Sequence, residues 1–424
     1  MMISKLFHSS FSGLGIAPRL LDVIDSLKFK EPTPIQQRSI PIGIEGKDLI
    51  AIAQTGTGKT LAFGIPMIQR LAQVKGDGLV LLPTRELAIQ VDEALYPFCR
   101  AAGMRTAVLI GGELVSRQRR ALEKEPRIII ATPGRLLDLI DQRMVKLSET
   151  EILVLDEADR MLDMGFAPQI NKILVTVPKK RQTMLFSATM PKEIVTIAQQ
   201  HMAIPIQVEI APSGTTVENV IQEVFFISRE AKTRLLEVIL HQYPGPVLVF
   251  TRTKHGARRL ARQVRLIGHA AAEIHSDRNL AQRRGALEGF KSGQYRVLVA
   301  TDIAARGIDV TGIEIVLNYD LPSNSEDYVH RIGRTARAGR AGRAISFATL
   351  DQRGEVKNIE HLIKTALTVK AIPTLPPSRQ SPPASAPAPS TRPVKARPAP
   401  HPRPHKDAPS SDRPFGRWSR PKRR

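Results

Sequence analysis

Two short stretches concentrate the groups that phosphate chemistry needs. From Ala53 to Thr60 the chain reads A-Q-T-G-T-G-K-T, and from Asp156 to Asp159 it reads D-E-A-D, each directly after an apolar run, Leu49–Ala53 and Ile152–Leu155. In the first stretch Gly56 and Gly58 let the backbone curl. The N–H groups along Ala53, Gln54, Thr55, Gly56, Thr57 and Gly58 can then face a phosphate at a helix N-terminus. Lys59 would neutralise the terminal phosphates and Thr60 would offer its hydroxyl to Mg²⁺. In the second stretch Asp156 can hold Mg²⁺ through water and Glu157 can orient an attacking water. A glycine-rich loop alone also fits a plain turn, but paired with these carboxylates it reads as half of a nucleoside triphosphatase.

These residues need a scaffold that places strand ends side by side. Apolar runs at Leu49–Ala53, Leu79–Leu82, Arg127–Ala131, Ile152–Leu155 and Thr183–Phe186 alternate with amphipathic helical stretches. A second set follows at Val247–Phe250, Ala270–Ile274, Arg296–Ala300, Ile313–Asn318 and Ala344–Ala348. That rhythm predicts two α/β domains, each a parallel sheet wrapped by helices, with ligands at the carboxyl ends of the strands. The polar, turn-rich stretch at 209–217 is the expected linker, dividing a first domain, 1–208, from a second, 218–369.

Charge points to a polyanion. The 424 residues carry a formal net charge of +22, which favours nucleic acid over a membrane surface. Of that excess, +10 falls after Lys370, where 15 of the last 54 residues are proline and large apolar groups are nearly absent. Segment 370–424 is therefore expected to be a disordered basic tail. It reads either as an electrostatic tether, with Phe415 and Trp418 as stacking points, or as a solubilising appendage. A single cysteine, Cys99, excludes an intramolecular disulfide framework. With no apolar run of membrane-spanning length, and with Met1–Ser12 lacking the apolar stretch and cleavage site of a secretory signal, the expectation is a cytoplasmic, membrane-free protein, taken to be a monomer.

Further short motifs recur at strand ends: P-T-R-E-L-A at Pro83–Ala88, Gly111-Gly112, T-P-G-R at Thr132–Arg135, S-A-T at Ser187–Thr189, A-T-D-I-A-A-R-G-I-D at Ala300–Asp309 and H-R-I-G-R-T-A-R at His330–Arg337. On a helix, His330, Arg334 and Arg337 would share one face at i, i+4 and i+7. Domain closure could then deliver two guanidiniums to one phosphate, although a basic helix that binds RNA without specificity would look the same.

Taken in this order, the motifs resemble those of the DEAD-box RNA helicases over roughly Phe11–Ala348. The wording E-A-D-R-M-L-D-M-G-F at Glu157–Phe166 and the basic extension look like the bacterial RhlE-type subgroup. The resemblance implies two tandem RecA-like domains, ATP and Mg²⁺ as ligands, and RNA as partner, with ribonucleoproteins as further candidates. It assigns Arg334 and Arg337 to the γ-phosphate, His330 and Arg331 to contacts with the first domain, and Asp309 to the ribose. Ser187 and Thr189 become a relay between phosphate and domain contacts, with strand-end capping as the alternative. Pro83, Thr84, Arg85, Gly111, Gly112, Thr132, Arg135 and Thr301, with Arg283 from the second domain, become contacts to the RNA backbone, largely independent of sequence.

Phe29 followed by P-T-P-I-Q at Pro32–Gln36, with Phe11 upstream, matches the family's adenine-recognition motif. A Gln36 amide can donate and accept along the adenine edge while an aromatic ring stacks on its face. Four positions depart from the family pattern: Ala53 opens the phosphate loop where Gly is standard, Lys28 precedes Phe29 where Gly is usual, and two more bear on contacts. Leu280 stands where Gln is usual, which would remove a hydrogen bond worth roughly 1 kcal/mol, and Ala336 stands where Gly is usual, a change that an α-helical backbone accepts and that is harmless unless the methyl meets the nucleotide. The expected activity is ATP-dependent RNA unwinding or ribonucleoprotein remodelling. An ATP-gated RNA clamp or annealing chaperone and a DNA-translocating helicase are the alternatives.

Overall fold

The computed structural model describes residues 10–53, 56–210, 220–305, 310, 312–336 and 342–377. Within one compact unit ending at Pro377 it contains two seven-stranded sheets. The first holds β1 (Leu49–Ile52), β2 (Asp77–Leu81), β3 (Thr106–Leu109), β4 (Ile128–Ala131), β5 (Thr150–Leu155), β6 (Gln182–Ser187) and β7 (Ile206–Glu209). The second holds β8 (Val220–Phe226), β9 (Val247–Phe250), β10 (Ala271–Ile274), β11 (Val297–Ala300), β12 (Ile315–Asn318), β13 (Gly342–Ala348) and β14 (Thr368–Val369). Their orders are β3-β4-β2-β5-β6-β1-β7 and β10-β11-β9-β12-β13-β8-β14, the same order repeated. Every pairing is parallel.

Central strands such as Ile128–Ala131 and Val247–Phe250 are apolar throughout because helices cover both faces. Alternation sorts their side chains. Leu49 and Ala51 enter one apolar cluster and Ile50 and Ile52 the other, just as Val247 and Val249 separate from Leu248 and Phe250. All ten expected strands are present. The four not expected are β3, β7, β8 and β14.

Both lobes also share an arginine immediately before an inner strand. Arg127, before β4, donates to the carbonyls of Leu71, Val74 and Gly76, and Arg296, before β11, donates to those of Leu240, Tyr243 and Gly245. Each guanidinium thus satisfies carbonyls at and just beyond the C-terminal end of the helix that follows the lobe's first strand.

Most of the expected linker, and the segment from Ser378 onward, lie outside the described residues. The chain stays docked past residue 370, the expected start of the tail. Lys370 N–H donates to Val224 O, Leu375 packs on the second lobe's core, and Arg234 reaches Pro376 O at 3.4 Å. Leu375 supplies apolar surface that the proline-rich sequence after it lacks.

Candidate functional site

The loop after β1 curls as its glycines require: Gly56 and Gly58 have φ of 83° and 89°, in the left-handed region, and Gly58 caps the helix Lys59–Leu71. Lys59 is buried, and its Nζ has no hydrogen-bond partner among the described residues. It lies 3.8 Å from Asp156 Oδ1, at the end of β5. Burial pushes the Asp156 carboxyl up to about 6, against the pull of Lys59. Glu157, also buried, takes φ 52°, a left-handed conformation uncommon outside glycine that turns the chain straight into the helix Ala158–Asp163. Thr60 follows Lys59 on its helix, half-buried. Ala53 is buried and donates its N–H to Ser187 O at 2.9 Å, tying the loop to β6. Gln54 and Thr55 lie outside the described residues.

Asp159 links this cradle to the end of β6. Its backbone N–H donates to Ser187 Oγ at 3.3 Å, while Oδ2 accepts from Ala188 N, Thr189 N and Thr189 Oγ1 at 2.9 to 3.1 Å. Ser187 and Thr189 are thus brought together through the last carboxylate of D-E-A-D, to which the sequence alone assigns no role. The next residue, Arg160, is buried and crosses to the second lobe, its Nη1 2.6 Å from Asp327 Oδ1.

Arg331 behaves differently from its expected role as a link to the first lobe. Its guanidinium grips Asp302 through two bonds of 2.5 and 2.7 Å, donates to Asn318 Oδ1 and Asp320 O, and lies over the Phe250 ring. All of these partners belong to the second lobe. Asp327, which carries no motif in the sequence, makes the crossing contact with Arg160.

The helix expected to carry His330 and Arg334 on one face ends before Arg334. The helix Ser325–Ile332 stops at Gly333, and Thr335 Oγ1 is held by Ile313 O at 2.5 Å. Ala336 then takes φ 54°, so it is not the helical position that would make alanine harmless. Arg334 reaches the lobe interface by another route. Buried just past the helix end, it lines a cavity with Arg160, Asp302, Asp327, His330 and Arg331. Arg337 and Asp309 lie outside the described residues.

Most of the expected polynucleotide contacts gather in one cleft of about 390 Å³, lined by Pro83, Thr84, Arg85, Gly111, Thr132, Arg135 and Arg283 among others. Gly112, at φ 80°, lies against the Arg85 guanidinium so closely that a Cβ would collide with it. Thr301 is outside this lining, its N–H donating to Ile274 O. Thr84 also caps its helix, Oγ1 accepting from Leu87 N at 3.3 Å. Across the lobes Arg283 Nη2 meets Glu86 Oε2 at 2.9 Å, both residues buried, while Glu86 Oε1 and Arg283 Nε are left without partners among the described residues. Leu280 is buried within the first lobe's apolar cluster. The departure from Gln therefore exchanges a polar contact for apolar docking rather than simply removing a bond.

At the base-recognition motif, Gln36 is buried. Its Oε1 accepts from Thr33 N at 2.9 Å and its Nε2 donates to Gly58 O at 3.0 Å, so it touches the phosphate loop directly. One amide hydrogen and one carbonyl lone pair remain for a ligand. Phe29 is largely exposed and open for stacking, whereas Phe11 is buried in the first lobe's core.

Comparison with known proteins agrees with this geometry. Residues 33–197 match the DEAD/DEAH box helicase family and residues 230–339 the helicase conserved C-terminal domain. Over 373 residues the chain is 44% identical to the DEAD-box ATP-dependent RNA helicase CshA of Bacillus cereus, covering 87% of this chain and 70% of that one. The chain belongs to the DEAD-box ATP-dependent RNA helicase family.

Solved DEAD-box structures extend the likeness. Dbp5 of S. cerevisiae, bound to RNA and ADP BeF3, matches with a TM-score of 0.77 at 31% identity over 85% of this chain and 95% of that one. Mss116p, bound to ssRNA and AMP-PNP, matches with a TM-score of 0.79 at 27% identity over 86% and 78%. The two sheets are the RecA-like domains of this family, and an ATP site fits the residues present. A buried ammonium with no hydrogen-bond acceptor among the described residues and a buried carboxyl raised towards neutrality would both be relieved by phosphate oxygens and a cation. Among the described residues no group of three or more His, Cys, Asp or Glu is placed to hold a metal.

Proposed function

We propose that this DEAD-box helicase uses ATP binding to close its two lobes on single-stranded RNA, and hydrolysis to release them, with local strand separation as the result. The observation that carries the reading is Lys59, a buried ammonium at a helix N-terminus, 3.8 Å from Asp156 and with no hydrogen-bond partner among the described residues. Thr60 and Asp156 would hold Mg²⁺, which supplies charge neutralisation at the phosphates. Lys59 binds the terminal phosphates, Glu157 orients water, and Arg334 with Arg337 stabilises charge as the γ-phosphate departs. Gln36 and Phe29 select adenine, and Asp309 takes the ribose.

RNA would lie in the cleft from Pro83 to Arg283, gripped through its backbone by Thr84, Arg85, Gly111, Gly112, Thr132 and Arg135, with Thr301 from the second lobe. Ser187 and Thr189 relay phosphate occupancy through Asp159 to the neighbouring Arg160–Asp327 contact. Because ATP and RNA favour the same closed arrangement, each should tighten the other by one factor. The same reading takes the enzyme as a monomer acting in the cytoplasm on RNA and ribonucleoproteins; no described helix is long and apolar enough to cross a membrane. The RhlE-type assignment rests on Glu157–Phe166 and the basic extension, whereas the Bacillus relative carries the CshA name.

The test is Glu157→Gln, with ATP turnover and strand release measured together. Turnover should fall by roughly 10² to 10³-fold while ATP-dependent RNA binding persists, and repeated strand release should fall with it. Unwinding that continues unchanged would reject the hydrolysis-coupled cycle in favour of an ATP-gated clamp.

A further inference from the structure

The helix Lys254–Leu266 of the second lobe carries five cations, Lys254, Arg258, Arg259, Arg262 and Arg265, and no carboxylate. All five are exposed, while Ala257, Leu260, Ala261 and Val264 bury the opposite face. Lys254, Arg258, Arg262 and Arg265 stand at i, i+4, i+8 and i+11. They form one stripe, rising about 17 Å along the helix, with the exposed Arg259 flanking it beside Arg262. Its lower end meets the RNA cleft: Lys254 Nζ is 2.8 Å from Asp277 Oδ1 and Arg258 4.0 Å from Oδ2, and the neighbouring Ser276 lines the cleft with Arg283. Further along, Arg265 and Arg278 pair with Glu273. Arg259 and Arg262 make no ion pair with a described residue. Six cations thus face two carboxylates, and the surface keeps a charge of +4.

The fold does not demand this charge. In the first lobe the helix Arg85–Ala101 follows β2 as Lys254–Leu266 follows β9, and it carries Arg85 and Arg100 against Glu86, Asp92 and Glu93, a net −1. Solubility is met by mixed charges of that kind. A stripe of one sign, continuous with a polynucleotide cleft, is the footprint of a polyanionic backbone. We propose that the outer face of Lys254–Leu266 is a second RNA-backbone site, which holds the flank of RNA leaving the cleft and so favours substrates longer than the cleft itself. The proposal rests on the RNA-helicase reading above.

The test uses the full chain and the double variant Arg259→Gln/Arg262→Gln, chosen because neither side chain is ion-paired with a described residue. Affinity is measured against salt for two RNAs: a short single strand that fills only the cleft, and the same strand extended by a flank. For the extended RNA the variant should bind several-fold more weakly. Its slope of log affinity against log salt should be shallower by about 1.4, at roughly 0.7 for each single-strand phosphate that the variant no longer neutralises. The short strand should bind as before, and Arg259→Lys/Arg262→Lys should retain wild-type slopes. Equal slopes for variant and wild type on the extended RNA, with melting unchanged, would overturn the proposal. So would an equal weakening on both RNAs, which places the arginines in the cleft, or an effect confined to phosphatidylserine vesicles. RNA-stimulated ATP turnover on the short strand, measured for the wild type, checks the underlying helicase reading separately.

Discussion

The two lobes repeat one strand order, and each begins the helix after its first strand with a buried lysine, Lys59 in one and Lys232 in the other. Each lysine faces an aspartate just beyond the corresponding inner strand, Asp156 after β5 and Asp320 after β12. Their hydrogen bonding separates them. Lys232 Nζ donates to Tyr319 O at 2.7 Å and to Asp320 Oδ1 at 3.3 Å, whereas Lys59 Nζ donates to nothing described. The segment before Lys232, Ile227–Ala231, also lacks a glycine, so no phosphate loop can curl there. A buried lysine whose donors are taken up is part of the core, and a buried lysine left unmatched marks a place for a ligand.

The largest expected effect breaks that contrast from one side. Lys59→Ala should lower ATP turnover by roughly 10² to 10³-fold because it removes a preorganised cation, and it should cost less stability than a change at Lys232, because no hydrogen bond is lost and the buried Asp156 left without its counter-charge can take up a proton. Lys232→Met should do the reverse. Turnover should stay within a few-fold, while the second lobe loses ~2 kcal/mol because Tyr319 O and Asp320 are left without their charged donor. Steady-state kinetics and denaturant unfolding of the two variants decide between these roles, and a turnover loss at Lys232 as deep as that at Lys59 would erase the distinction.

Asp156 sharpens the same point through pH. Its carboxyl is raised by burial to about 6 from an ordinary 3.8, so its protonated form is the one the fold prefers. The stabilisation from protonation is therefore fully present below about pH 4 and is lost as pH rises through about 6. In the ligand-free chain Asp156→Asn should be more stable than wild type by ~1 to 3 kcal/mol at pH 7.5 and indistinguishable from it near pH 4. It should turn over no ATP at either pH. Equal unfolding free energies at pH 7.5 would show that Lys59 already compensates the buried charge.

What was legible beforehand follows the physics of burial. Ten strands announced themselves because central parallel strands must be apolar on both faces. Strand β8 did not, because Gln222 and Glu223 occupy its middle, satisfied by Tyr328 Oη, Arg343 and Lys370. Strands β3, β7 and β14 lie at sheet edges, where β7 is mostly open to solvent and β14 has two exposed residues. At the site, the residues on strand ends were readable from their order. Those made by tertiary approach were not: Glu86 and Asp327 are ordinary carboxylates until Arg283 and Arg160 arrive from the other lobe. The helix drawn through Arg334 failed because a periodic pattern of arginines says nothing of Gly333 or of the pull of Ile313 O on Thr335.

Leu280 tests how firmly the lobes hold each other without RNA. Its burial in the first lobe's cluster favours the docked arrangement by ~2 kcal/mol, the usual worth of a buried leucine. Leu280→Ala should move the population of docked molecules roughly tenfold or more towards the open arrangement, read by energy transfer between one dye on each lobe. A higher RNA concentration should then be needed for half-maximal ATPase. Unchanged transfer efficiency would mean that Arg283–Glu86 and Arg160–Asp327 suffice to dock the lobes.

The smallest effect belongs to the second lobe alone. Ala336 takes φ 54°, where a Cβ crowds the neighbouring carbonyl, a strain of ~1 kcal/mol that glycine would not feel. Glycine in turn loses more freedom on folding, which offsets part of the relief and leaves a net expectation for Ala336→Gly of a ~0.5 kcal/mol gain in the second lobe's unfolding free energy. No corresponding change should appear in the first lobe, followed by amide exchange in β5 and β13. A loss instead of a gain would show that the alanine methyl packs usefully at the turn, so that this departure from the family's glycine is stabilising rather than strained.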